Sequence, residues 1–406
     1  DSILHKTFVR SGFCDSVAAH HLQKAPHMTC AKHERFPLGP FRLSALTLSA
    51  GLTVAGAPVF AQSQPFGDQT GISNTEQAET IGFGNGSFVF APIPFESPSL
   101  GSGVALGGAF LFQTDQESDA SSIGIGAFRT SNDSEGIGAG LNLSWNEGTW
   151  KLRFAGADAD LNYDVYLDSI PIPVSQKLSG ATVGLSYATS QEIVYGGSVA
   201  YGEYTLVPRG AASLDGDFLR DRDLEIARIS GYVEYDTRDD TFYPTEGRYA
   251  SATLTNGIFL GSARSDYVKA VLSASGYQQV LSDSVIAARA VACHANSAAP
   301  FFDSCSLGAT DNFRGYVSTE FLDDALFSLQ AEYRSGRAGR LGFVAFAGAG
   351  AVGGDIAEAV GGKYRAAAGL GLRIRLSKSF PLDYAIDLSV NERGEDLLYI
   401  SVGQRF

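Results

Sequence analysis

The chain has 406 residues, among them 47 glycines, 17 tyrosines, 26 phenylalanines and a single methionine, with 18% charged residues and a formal net charge of −14. Past residue 61 no apolar run approaches the roughly 18 residues a membrane helix needs, which excludes a helical membrane protein. A hydrophobic content of 44% excludes disorder, and glycine, costing about 1 kcal/mol per helical position, excludes a coiled coil or helical repeat. An all-β fold remains. The acidic balance lacks the basic face that phosphate binding needs, so no nucleic-acid partner is expected.

In chain order, residues 1–27 show no periodicity and carry four of the six histidines, reading as an upstream segment of little structure. From Met28 the text changes. Lys32, Arg35 and Arg42 form a basic region, Leu43 to Ala55 an apolar one, and Val59-Phe60-Ala61 a small-x-small cleavage site before Gln62. Over 28–61 this is the pattern of a secretory signal peptide. The residue directly after the cleavage site is Gln62 and not cysteine, so a lipid anchor is not indicated. Beyond it lie Cys293 and Cys305, which in an exported protein are expected to form a disulfide closing a short loop, contributing about 3 kcal/mol in the chain-entropy model. His294 and Asp303 are too few to make a metal site with them.

Residues 62–85 form a short polar extension, and from 86 the chain alternates with period two. Leu382, Tyr384, Ile386, Leu388 and Val390 alternate with Asp383, Ala385, Asp387 and Ser389; Phe327, Leu329, Ala331 and Tyr333 alternate with Ser328, Gln330, Glu332 and Arg334. The segments exceed the five or six residues usual for a sandwich strand. Strands are predicted over 86–95, 101–113, 121–131, 135–146, 149–163, 176–189, 192–206 and 224–237. A further eight fall at 247–259, 264–281, 284–294, 323–335, 340–353, 362–377, 381–391 and 395–406. Sixteen antiparallel strands over 86–406 predict a transmembrane β-barrel, apolar toward lipid and polar or glycine-rich toward the lumen, with both termini at the periplasmic end. The longest connection, 295–322, is expected to be extracellular and functional.

Three local patterns resemble the BamA/TamA superfamily of outer-membrane assembly and translocation barrels, also called the bacterial surface antigen family. Phe313-Arg314-Gly315-Tyr316, in the long connection, is similar to the family's hydrophobic-Arg-Gly-aromatic loop tip. Tyr235-Asp236-Thr237-Arg238-Asp239, with Pro244 and Gly247 following, is similar to its Asp-x-Arg-Asp hairpin. Gly403-Gln404-Arg405-Phe406 matches its terminal insertion signal. The resemblance covers roughly 85–406.

An arginine at such a tip either stays exposed or folds back into the lumen, and the resemblance implies the second. A buried guanidinium needs carboxylate acceptors; Glu332, on the lumen face of the twelfth strand, is the candidate. The family's second carboxylate belongs to a Phe-x-Asp-x-Gly pattern on the thirteenth strand, where this chain has Gly348 after Phe346. Either Asp355 substitutes or the loop is held less firmly. Pro92, Pro94 and Pro98 cannot donate to a ladder. They either make the first strand a weakly paired edge, which with Gly403 and Phe406 forms the seam of the family's lateral gate, or they lie in a turn before that strand.

The resemblance implies a barrel that helps insert, anchor or translocate another protein through the seam between its first and last strands. Residues 62–85 are too few for the periplasmic POTRA domains of family members, so a delivery partner is implied. The alternative is a passive or structural barrel, with Glu332, Arg334, Arg373, Arg375, Asp383 and Asp387 lining a plugged lumen without one strong ion preference. Catalysis is not expected: past the cleavage site the one histidine is His294, read as a loop residue beside a disulfide. No cofactor is indicated. The expected surroundings are the lipid and lipopolysaccharide of a Gram-negative outer membrane, with a client or accessory protein unknown and the oligomeric state open.

Overall fold

Apolar–polar alternation over long segments resolves into strands that can satisfy every backbone group only by closing on themselves. The computed structural model describes residues 86–403 apart from 168–169, 210–221, 242, 282 and 377–382. The upstream segment 1–27, the export signal over 28–61, the extension 62–85 and the terminal Phe406 lie outside the described residues. Among the described residues, the first half of the barrel comprises β1 (Ser87–Ser97), β2 (Gly101–Phe112), β3 (Ser121–Thr130), β4 (Glu135–Trp145), β5 (Trp150–Leu167), β6 (Ile170–Ala188), β7 (Ile193–Pro208) and β8 (Asp223–Asp236). The second comprises β9 (Gly247–Leu260), β10 (Tyr267–Val280), β11 (Ser284–Ala295), β12 (Ala325–Arg334), β13 (Leu341–Gly353), β14 (Arg365–Arg375), β15 (Asp383–Asn391) and β16 (Asp396–Val402). Each is antiparallel to its sequence neighbour, and β16 returns to β1, giving the closed sixteen-stranded barrel that the alternation predicts.

The period sorts the side chains. Phe88, Phe90, Ile125, Ile137, Leu370 and Leu388 are exposed on the outer face, whereas Arg228, Lys269, Glu332, Arg334, Arg373 and Asp387 are buried inward. Strand ends fall close to expectation except in the hairpin of β5 and β6. Predicted to close at 163 and reopen at 176, it stays paired from Trp150↔Tyr187 to Leu167↔Ile170. Pro171 and Pro173 read as loop, but the Pro173 carbonyl accepts from Arg209 N at 2.8 Å, so its side of β6 faces away from β5 and the missing N–H costs that hairpin nothing. Buried Val165, Val174 and Leu206 hold the extension together.

The connection 296–324 turns into the barrel and builds its apolar core there. Phe301–Asp303 forms a single 3-10 turn, Cys305–Ser306 pairs with Leu322–Asp323, and a disulfide ties Cys305 to Cys293 on β11 with 5.7 Å between Cα atoms. Phe302 stacks on Tyr204 at 4.7 Å within one apolar cluster of the wall. Cys305, Leu307, Phe313 and Tyr316 pack with Val271, Val291 and Leu326 in another. A short helix α1 (Ile356–Gly361) follows β13, its first turn capped by Asp355.

Candidate functional site

Two features stand out from this frame: a network of buried charges that holds the loop tip, and the ladder between β1 and β16. At the tip, Gly315 takes φ +124°, and a Cβ there would stand 2.2 Å from that of Ala367, so glycine alone lets the backbone turn against the wall. The Gly315 N–H donates to the Tyr399 hydroxyl at 2.9 Å, that hydroxyl donates to Tyr316 O at 3.3 Å, and Asn391 Nδ2 donates to Gly315 O at 3.1 Å. Thus held, Arg314 is fully buried, with Nη2 2.6 Å from Glu332 Oε2 and Nη1 2.9 Å from Asp387 Oδ2. Its guanidinium carbon lies 3.6 Å over the Phe346 ring. Glu332 also accepts from Arg334 Nε at 2.7 Å, and Asp387 from Arg373 Nη1 at 2.5 Å. Three guanidinium groups thereby share two carboxylates, an arrangement that offsets the desolvation of each ion through direct hydrogen bonds.

The second acceptor is therefore Asp387 on β15, and both expectations for it require correction. Asp355 does not substitute: its carboxylate accepts from Glu358 N at 2.8 Å as the cap of α1. Nor is the loop loosely held. Gly348 has a steric role instead, since a Cβ there would lie 2.7 Å from the Phe313 ring and 2.7 Å from Leu329 O. The ring occupies the space a larger residue would fill.

A second anchor escaped sequence reasoning. Asp303 is buried against β8 and β10, 2.8 Å from Arg228 Nε and 3.5 Å from Lys269 Nζ, and it accepts from the Tyr267 hydroxyl. Burial raises its carboxyl, but Arg228 and Lys269 outweigh this and hold it below the ordinary range. Asp303 belongs to this cluster and not to a metal site with His294, whose side chain is exposed on the outer face of β11 opposite Ala325. His294 is thus a strand residue, not a loop residue, because the ladder of β11 continues to Ala295.

The hairpin motif lies at the other end of the barrel. Arg238 grips Asp236 through Nε at 2.9 Å and Nη2 at 2.8 Å. Asp239 accepts from Thr245 N at 2.8 Å, Glu246 N at 3.0 Å and the Thr245 hydroxyl at 2.5 Å; against partial burial, which raises it, these bonds hold its carboxyl below the ordinary range. Gly247 takes φ +99°, where a Cβ would strike Thr237 O at 2.2 Å. Pro244 is buried, and its carbonyl accepts from Arg334 Nη1 at 3.1 Å. Through Arg334 and Glu332 the hairpin and the loop tip, read as separate motifs, belong to one network.

Pro92 and Pro94 lie within β1, in unbroken register with Leu106 and Val104 of β2. The alternative of a turn before the first strand is thereby overturned for both, and Pro98 lies not before β1 but in the turn that follows it. Among the described residues β1 makes one pair across the seam, Glu96↔Ile400, where every other ladder of the barrel has seven or more. The Pro94 carbonyl accepts from the Tyr384 hydroxyl of β15 at 3.0 Å, reaching over the end of β16. In an extended strand the nitrogen and carbonyl of one residue point the same way. The prolines therefore turn their missing N–H groups toward β16. Gly403, at φ +94°, donates its N–H to Asp383 O at 2.8 Å.

Residues 95–406 match the model of the Omp85 superfamily domain. Among solved structures the chain is similar to BamA from Haemophilus ducreyi lacking POTRA domains 1–3, with a TM-score of 0.57 at 15% identity over 78% of this chain and 69% of that one. It is also similar to CdiB from Escherichia coli (TM-score 0.56, 14% identity, 77% of this chain) and from Acinetobacter baumannii (0.54, 13%, 77%), spanning 62% and 59% of their lengths. At such identities the likeness is one of fold. No curated protein matches.

Proposed function

Because the chain belongs to the Omp85 superfamily, we propose that it is an outer-membrane barrel that inserts, anchors or translocates another polypeptide through the β1–β16 seam. One observation carries this: among the described residues a single pair joins β1 to β16, in a barrel whose other ladders are long. An underpaired edge is a template for strand addition. The plugged lumen supports the same reading over that of a passive pore, since Asp303 and Arg314 brace the loop at two separate places on the wall, β8 to β10 and β12 to β15. The exposed aliphatic and aromatic outer face would meet outer-membrane lipid and lipopolysaccharide, the end bearing the long loop facing outward. No catalytic step is assigned.

The test is to lock the seam. The Glu96↔Ile400 register sets Phe95 opposite Ser401, so Phe95→Cys with Ser401→Cys should form a disulfide under mild oxidation, the native Cys293–Cys305 bond being retained. Locked protein should fold and reach the membrane yet stop growth or accumulate an exported protein, with recovery on reduction. Full activity of the quantitatively locked barrel would sink the proposal.

A further inference from the structure

Building on that reading, we infer that the seam accepts an added strand on β16 and not on β1. The two edges differ in what their backbones offer. The Tyr384 contact shows that the Pro94 carbonyl faces the seam, so the seam-facing residues of β1 are those in phase with it: Phe88, Phe90, Pro92, Pro94 and Glu96. Two of these five have no N–H. Glu96, the one seam-facing residue on the loop side of Pro94 that can donate, is also the one that pairs across the seam among the described residues.

Glu96 faces the seam, and so does its partner Ile400. In phase with Ile400 are Asp396, Leu398 and Val402, none of them proline, so β16 offers a donor and an acceptor at each of these positions. The opposite edge of β16 is secured by seven pairs to β15, from Tyr384↔Val402 to Val390↔Asp396. In hydrocarbon an unpaired carbonyl has no water to turn to. A strand docking on β1 would leave two acceptors facing proline nitrogens, whereas one docking on β16 would leave none along Asp396–Val402. The occupant that fits is an antiparallel strand free of proline on its pairing edge. Its outward residues should be apolar, to continue the surface of Leu398, Ile400 and Val402.

The probe is a synthetic peptide with the sequence of Ser87–Ser97, alanine in place of both prolines, and benzophenone at the Phe95 position. It is offered to the whole barrel in lipid nanodiscs, and mass spectrometry maps its photo-adducts. Adducts are expected on Asp396–Val402 at least tenfold above those on Ser87–Ser97. A barrel carrying Pro92→Ala and Pro94→Ala, whose own β1 competes better for β16, should give at least fivefold less adduct. Adducts mainly on β1, or an unchanged yield from the alanine barrel, would overturn the edge assignment while leaving the seam reading intact. No adduct on either strand would overturn both.

Discussion

Replacing Arg314 by methionine removes the charge at the loop tip while keeping much of the side-chain volume. The guanidinium makes two charge-assisted hydrogen bonds, worth about 1.5–3 kcal/mol each, and sits over the Phe346 ring. Its loss does not strand either carboxylate, because Arg334 remains on Glu332 and Arg373 on Asp387. With no buried charge left uncompensated, the cost should be that of the two bonds at the lower end of their range, about 3–4 kcal/mol. Expressed as tip release, this is roughly a 10²- to 10³-fold rise in the open population, at 1.4 kcal/mol per tenfold. Hydrogen exchange in nanodiscs reads it directly: the amides of Gly308 to Tyr316 should lose protection by that factor. Those of Phe302 to Cys305 should not, since the Cys293–Cys305 disulfide and the Asp303 anchor remain. Unchanged exchange at the tip would refute the clamp, and equal loosening of both segments would refute the division into two anchors.

Gly348→Asp would restore the carboxylate of the family pattern but take the seat of Phe313, and overpacking there should destabilise the barrel by about 1–3 kcal/mol in thermal unfolding; a stabilised protein would contradict this. Gly247→Ala puts a Cβ 2.2 Å from Thr237 O at φ +99°, so a loss of at least about 1 kcal/mol is expected in the same assay, and none if the hairpin can relax. The Asp303 anchor should depend on pH in one direction. Its folded-state pKa is depressed, so its stabilisation is complete above the unfolded value of about 3.9 and is lost as pH falls through the folded value. Exchange protection of Phe302 to Cys305 should stay level from pH 8 to pH 5 and decline below about pH 4, and Asp303→Asn should abolish that decline; a decline already under way between pH 8 and pH 6 would contradict it.

The barrel was legible because one physical demand shapes every strand. Side chains must alternate between lipid and lumen, so Leu388 and Asp387 announce their faces without a partner in view. Arg314 and Glu332 could be paired for a related reason: a buried guanidinium needs a carboxylate, and period two puts Glu332 inside. What escaped were the choices made between walls. Asp387 lies 73 residues from Arg314 and the partners of Asp303 lie on β8 and β10, distances at which alternation shows which side chains point inward but not which of them meet. The lumen phase of Arg228 and Lys269 is a usable signal for an acidic loop partner such as Asp303. The paired extension of β5 and β6 was not legible either, because the cost of Pro171 and Pro173 depends on which neighbour their nitrogens face, a property of the ladder and not of the residue.

The weak seam is the feature on which the functional account stands, and pulsed electron paramagnetic resonance in nanodiscs measures it most directly. Spin labels at Phe90 and Leu388 span the seam from β1 to β15, while labels at Ile125 and Phe154 span an equal number of strands from β3 to β5; all four positions are exposed on the outer face. The account predicts a broad or divided distance distribution for the first pair and a single narrow one for the second. Two equally narrow distributions would mean that the seam is closed like any other ladder, and would contradict it.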